Sequence, residues 1–224
     1  MGRPNLFRYN VTVAVAPGLR ERKKRQTRLQ IYDVARRLFE QKGFDRVSVA
    51  EIARAADVSE VTVFNYFPSK EDLYYGGMQF FEEELIESVR NRPRGESALK
   101  AFRQKLLEGV GRLASREGAE AILKSGRIVS ASPSLAARER EIVELYTARL
   151  AGLLAEETGA RPDEVEPLAA AAALMGTHRA LVGFVRRRVL AGRRGAGLAE
   201  EYRAQARRAF ARLDRGLGGY AVRP

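Results

Sequence analysis

Apolar residues recur at three- and four-residue steps along almost the whole chain, the spacing of amphipathic helices. Only Leu6–Val15 departs from this, alternating loosely with strong β propensity before Pro17 and Gly18 break it. Between Leu29 and Lys42, Ile31, Val34, Ala35 and Leu38 share one helical face and Phe39 adds to it; Gly43 closes the helix. Ser48 followed by Glu51 is a capping box for a short helix whose buried side holds Ile52 and Ala53. Ala56-Asp57-Val58 forms a tight turn, because Asp tolerates the left-handed conformation. Ser59 caps a second short helix that runs to about Phe67, where Pro68 stops it. Ser69 with Asp72 opens a third. Downstream, helical segments at 70–91, 96–115, 117–131, 134–158, 162–192 and 197–216 are separated by Gly- and Pro-bearing breaks. The pattern predicts an all-α protein of about nine helices.

Two short helices across a tight turn predict a helix-turn-helix, whose second helix enters the DNA major groove. The second helix here has two different faces. Val63 and Phe67 point inward with Phe64 on their flank, whereas Val61, Thr62, Asn65 and Tyr66 form an outer stripe. That stripe is compact and uncharged, and both base edges and phosphates accept it. A plain helical hairpin has the same turn, so the flanking sequence matters. From Arg20 to Arg28 stand six basic residues against one acid. Cations at a helix start oppose the helix dipole, and a phosphate backbone accounts for them better than a solvated helix end does.

Residues 20–75 resemble the DNA-binding domain of the TetR family of bacterial transcriptional repressors. The resemblance is carried by Ala35–Phe39, Gly43-Phe44, Ser48–Ala53, Val58-Ser59, Val63–Phe67 and Ser69–Leu73. Family members usually carry Gly at the position of Asp57 and a small residue at that of Val61. The resemblance implies a three-helix reader in 20–75 and a larger effector-binding and dimerisation domain in 76–224, with 1–19 as a mobile extension. It also implies phosphate contacts from Ser48, Thr62, Tyr66 and Lys70, with Thr27 and Arg28 at the start of helix one. Val61, Thr62 and Asn65 are the candidates for base edges.

In the last two helices, Leu168, Ala172, Tyr202, Phe210 and Leu213 recur at helical steps. They read as a core hairpin, a homodimer surface, or both; the resemblance implies the dimer. Phe81, Leu85, Phe102, Leu106, Ile128, Leu145, Met175 and His178 are the candidates for an effector pocket on the middle and late helices, with His178 placed there by resemblance. Gly76 and Gly77 make a bend cheap in the helix that starts behind the reader.

Composition narrows the chemistry. The formal charge is +12, and there is one His and no Cys. These counts leave no Cys–His constellation, no thiolate metal site and no disulfide, so no enzyme activity, cofactor or metal is expected. Glu82, Glu83 and Glu84 follow one another on a helix and read as a solvated face. No run of 18 purely apolar residues exists, so no membrane span is expected and the cytoplasm is the default location. The leading reading is a repressor that binds a palindromic double-stranded operator as a homodimer and is released by a small, largely apolar effector. Two others compete with it. One is a sequence-tolerant DNA binder, suggested by twelve Arg against three acids in 179–223. The other is a helical ligand-binding protein that has lost DNA binding.

Overall fold

The computed structural model describes residues 18–161 and 163–223. The expected extension at 1–19 therefore lies outside the described residues, except for Gly18 and Leu19. Among the described residues the chain forms ten α-helices and no strand: α1 Leu19–Lys42, α2 Val49–Ala55, α3 Glu60–Tyr66, α4 Lys70–Arg90, α5 Ala98–Glu108, α6 Val110–Ala114, α7 Arg116–Ala131, α8 Pro133–Thr158, α9 Glu166–Leu190 and α10 Gly195–Leu217. The helix expected at 96–115 is broken at Gly109, which gives α5 and the five-residue α6.

The first helix also starts earlier than its apolar pattern indicates. The basic run from Arg20 to Arg28 is not an arm leading into α1; it is the first part of α1. Arg and Lys are good helix formers and no proline stands between Leu19 and Lys42 to stop them. Gly18 precedes the helix without a side-chain cap, so the dipole argument against these cations remains.

Two compact units make up the chain. One comprises residues 18–79 with 128–138, the other 80–127 with 139–223. In the first, Ile31, Ala35, Phe39, Phe44, Val47, Ile52, Val63 and Phe67 are buried. The ring of Phe44 lies 5.2 Å from Phe39 and 5.8 Å from Tyr74, edge-on to the latter. Pairs of this kind are worth about 0.5–1.5 kcal/mol beyond the area they bury. Gly76 permits a close approach in α4: a Cβ there would lie 2.7 Å from Tyr32 Cδ2 and 3.2 Å from Phe67 Cε1. Its first role is therefore room for the Tyr32 ring.

In the second unit, α10 buries Leu198, Tyr202, Ala206 and Phe210, and Phe210 meets Phe102 of α5 at 6.5 Å. The chain end returns to the α4–α5 corner. Gly95 N–H donates to Arg223 O (2.8 Å), Arg223 N–H to Glu96 O (3.1 Å) and Ala98 N–H to Ala221 O (3.2 Å). Arg92 fixes this corner. Its buried guanidinium donates to Glu96 O at 2.9 Å, to Ala221 O at 2.7 Å, to Val89 O and to both carboxylate oxygens of Glu157. Burying this cation is tolerable because its donors are satisfied.

By length and composition α9 is apolar enough to cross a membrane, although Thr177, His178 and Arg179 interrupt its apolar run. One side of it, including Ala171, Leu174, Met175, Leu181 and Val185, is buried in the second unit. Its other side leaves Leu168, Ala172 and Gly176 uncovered.

Candidate nucleic-acid interface and effector site

The helix-turn-helix is built from local hydrogen bonds. Ser48 Oγ accepts from Glu51 N–H at 3.1 Å and so caps α2. The Glu51 carboxylate pairs with Lys42 rather than reaching back, so half of the capping box is used. At the turn, Asp57 sits at φ 54°, in the left-handed region. Val58 N–H donates to Ala53 O (3.0 Å) and Asp57 N–H to Arg54 O (3.3 Å). These are the two bonds of a Schellman turn, which satisfy the last carbonyls of α2. Gln30 adds a bond from Nε2 to Ala56 O at 2.8 Å and ties the turn to α1. Ser59 Oγ then accepts from Thr62 N–H at 3.0 Å, and α3 begins.

This frame orients α3. Val63 and Phe67 are buried, whereas Val61 is 70% exposed, Asn65 is exposed, and Thr62 and Tyr66 are half-buried. Val61 and Asn65 lie on the side opposite Val63, whereas Thr62 and Tyr66 flank it. Phe64 is more open than a flanking residue need be, at 46%. Ser48 is exposed at the start of α2. Lys70 stands at the start of α4 with Nζ 4.4 Å from the Phe44 ring centre, where the ring's negative face steadies the ammonium. Thr27 and Arg28 are half-buried, and Arg28 is engaged within the protein, donating to Gln79 at 3.3 Å and lying over the Phe67 ring. Arg20, Arg22, Lys23, Lys24 and Arg25 are open cations in the first turns of α1. They lie in the basic run, but its apolar pattern gave no sign that they were helical.

Residues 31–75 match the family described as "Bacterial regulatory proteins, tetR family". The chain is 32% identical over 152 residues to the HTH-type transcriptional regulator TcmR of Streptomyces glaucescens, covering 66% of this chain and 67% of that protein. The chain belongs to the TetR family. It is a DNA-binding transcriptional regulator rather than an enzyme. Solved structures agree on the fold. A putative TetR-family regulator from Mesorhizobium loti aligns with a TM-score of 0.53 at 20% identity, over 86% of this chain and 97% of that one. GusR of Salmonella enterica aligns with a TM-score of 0.50 at 23% identity, over 86% and 96%.

Within this TetR-family chain the remaining candidates separate. Leu85, Phe102 and Leu106 are buried core of the second unit. Phe81 and His178 come together, with ring centres 5.6 Å apart, and Met175 is buried one turn before His178. Leu145 does not belong with them. It is 52% exposed, because α8 turns Ile142 and Tyr146 inward instead. Ile128 falls in the other compact unit.

The acidic run of α4 does not form the solvated face that its sequence suggests. Glu82 is not on a solvated face but fully buried, with Oε1 3.2 Å from His178 Nε2. Glu83 takes the Tyr146 hydroxyl at 3.5 Å and Glu84 pairs with Lys105 at 3.2 Å. Burial and the nearby Glu83 carboxylate push the Tyr146 phenol up to about 12.

Among the dimer candidates, Leu168 (51% exposed) and Ala172 are open and Leu213 is half-buried. Tyr202 and Phe210 are buried within their own chain. They have no large area left to lose to a partner, because they occupy the stripe of α10 that faces Phe102 and its neighbours.

Proposed function

We propose that this regulator is a repressor that binds a palindromic operator as a homodimer and is released by a small, largely apolar effector. The observation that carries the reading is the outer stripe of α3, held open over a turn whose hydrogen bonds are satisfied. Thr62, Tyr66 and Lys70, with Ser48 on α2 and Thr27 on α1, are assigned to phosphates. Val61 and Asn65 are assigned to base edges, and Thr62 serves both. Arg28 supports the reader from behind while the open cations of α1 meet the backbone.

Leu168, Ala172 and Gly176 support a homodimer face on α9. Their small and apolar side chains suit close helix packing, and a helix this apolar is costly to leave half uncovered. A two-fold dimer would place two α3 helices in successive major grooves, about 34 Å apart. The mechanism rests on α4. It begins directly after the reader at Lys70 and continues without a break to Arg90, into the unit that holds Phe81 and His178. An effector that binds the released state more tightly than the DNA-bound one shifts α4 and the half-site spacing together.

The test is a double variant, Leu168→Glu with Ala172→Glu, examined by light scattering and by operator binding. The expected result is a monomer with much weaker operator binding. An unaltered dimer rejects the α9 face.

A further inference from the structure

The second unit buries a carboxylate without giving it a full set of partners. Glu82 on α4 is 0% exposed, and only Oε1 is engaged, by His178 Nε2 of α9. Glu82 Oε2 and His178 Nδ1 are both buried and have no hydrogen-bond partner among the described residues. Folded proteins rarely leave such atoms unmatched, since water is lost and nothing replaces it. The basic residues that pair with this acidic run go to its neighbours: Arg149 to Glu83 at 4.0 Å and Lys105 to Glu84 at 3.2 Å. The Phe81 ring lies beside His178, buried Met175 stands one turn before it on α9, and buried Tyr146 lies close to the acidic run. Tyr146 spends its hydroxyl on Glu83.

We propose that Glu82 and His178 are the polar recognition point of the effector site, and that the effector presents an N–H or O–H donor on an apolar body to Glu82 Oε2. The inference rests on the reading of the chain as a ligand-responsive regulator. His178 is a positioning residue, since it holds Oε1 and leaves Oε2 to the ligand. A protonated amine satisfies the site best, because it supplies both the donor and the opposite charge. A hydroxyl supplies the donor alone, and an anionic ligand meets repulsion.

Three probes with one apolar body separate these cases: 2-naphthylmethylamine, 2-naphthylmethanol and 2-naphthoic acid. Their fluorescence is read directly on the full chain, which contains no Trp. The amine should bind the wild type roughly tenfold or more tighter than the acid, with the alcohol between them. Glu82→Gln should shrink the preference of amine over acid by roughly tenfold, the loss of one charge-assisted hydrogen bond. It should melt no lower than the wild type, because the carboxylate is kept for binding and not for stability. Equal binding of the three probes, preference for the acid, or no binding by the wild type overturns the assignment. So does a Glu82→Gln protein that fails to fold, since the carboxylate is then structural. Operator binding measured on the same samples without probe tests the regulator reading separately. Its loss removes that reading, whereas its retention beside a failed probe series removes only the recognition point.

Discussion

Arg138 reaches Asp72 through two nitrogens, Nε at 2.9 Å and Nη2 at 2.7 Å, across 66 residues of sequence. Asp72 is 3% exposed and also accepts from Ser69 Oγ at 2.7 Å and Gln79 Nε2 at 3.1 Å. Ser69 Oγ caps α4 by accepting from Asp72 N–H at 3.1 Å, and the carboxylate that holds this hydroxyl also anchors the first turns of α8, while Tyr75 donates to Leu135 O at 2.9 Å beside it. Arg138→Met removes the cation and leaves a buried charge with fewer partners. The expected cost is about 1–3 kcal/mol, seen as a lower melting temperature. Adding Asp72→Asn should recover part of it, since the main penalty is the unpaired charge. An Arg138→Met protein as stable as the wild type contradicts this.

Gly76→Ala tests the room made for Tyr32. The new methyl would meet the ring at 2.7 Å in a packed core, and relieving such contacts costs roughly 1–3 kcal/mol. Stability and operator affinity should both fall. A bend with no packing role predicts instead an unchanged melting temperature and blunted release by effector.

Asn65 and Lys70 should separate by specificity. Lys70→Ala should weaken binding alike on operator and scrambled duplexes and flatten the salt dependence. Asn65→Ala should lower discrimination between them, by roughly 1–3 kcal/mol for a bidentate contact. Gel shifts on matched and scrambled duplexes compare the two. An equal loss of specificity in both variants rejects the division of roles.

Alkaline pH should expose the buried tyrosines. Burial pushes Tyr202 up from the ordinary 10.0 to about 12, and Tyr146 goes to about the same value. Between these values the unfolded phenols ionise first, so the unfolded state gains and stability falls as pH rises. The contribution is intact below pH 10 and lost toward pH 12. Tyr202→Phe should therefore show a shallower fall in melting temperature over that window. Parallel curves for the two proteins contradict it.

The reader was legible because its signals are local. Ser48, Asp57 and Ser59 act on backbone atoms a few residues away, so their spacing places both short helices and the turn. The start of α1 was not legible. Arg and Lys prolong a helix without marking an apolar face, and no capping side chain marks Gly18. In the second unit, partners are distant. The burial of Glu82 depends on His178, 96 residues away, and three adjacent acids gave no sign of which one turned inward. Phe210 carried an apolar period that fits a core and a dimer face alike, and its place opposite Phe102 comes from packing that periodicity does not encode.

Selection from random duplexes tests the central claim most directly. The full chain is incubated with a random-sequence DNA pool at moderate salt, and the bound duplexes are sequenced. The account predicts enrichment of one inverted repeat, with half-sites spaced for two α3 helices on one face of the DNA. Asn65→Ala should degrade the enriched half-site while bulk binding at low salt persists. Binding without enrichment of any sequence would make the chain a sequence-tolerant binder. Absence of binding even at low salt would contradict the account altogether.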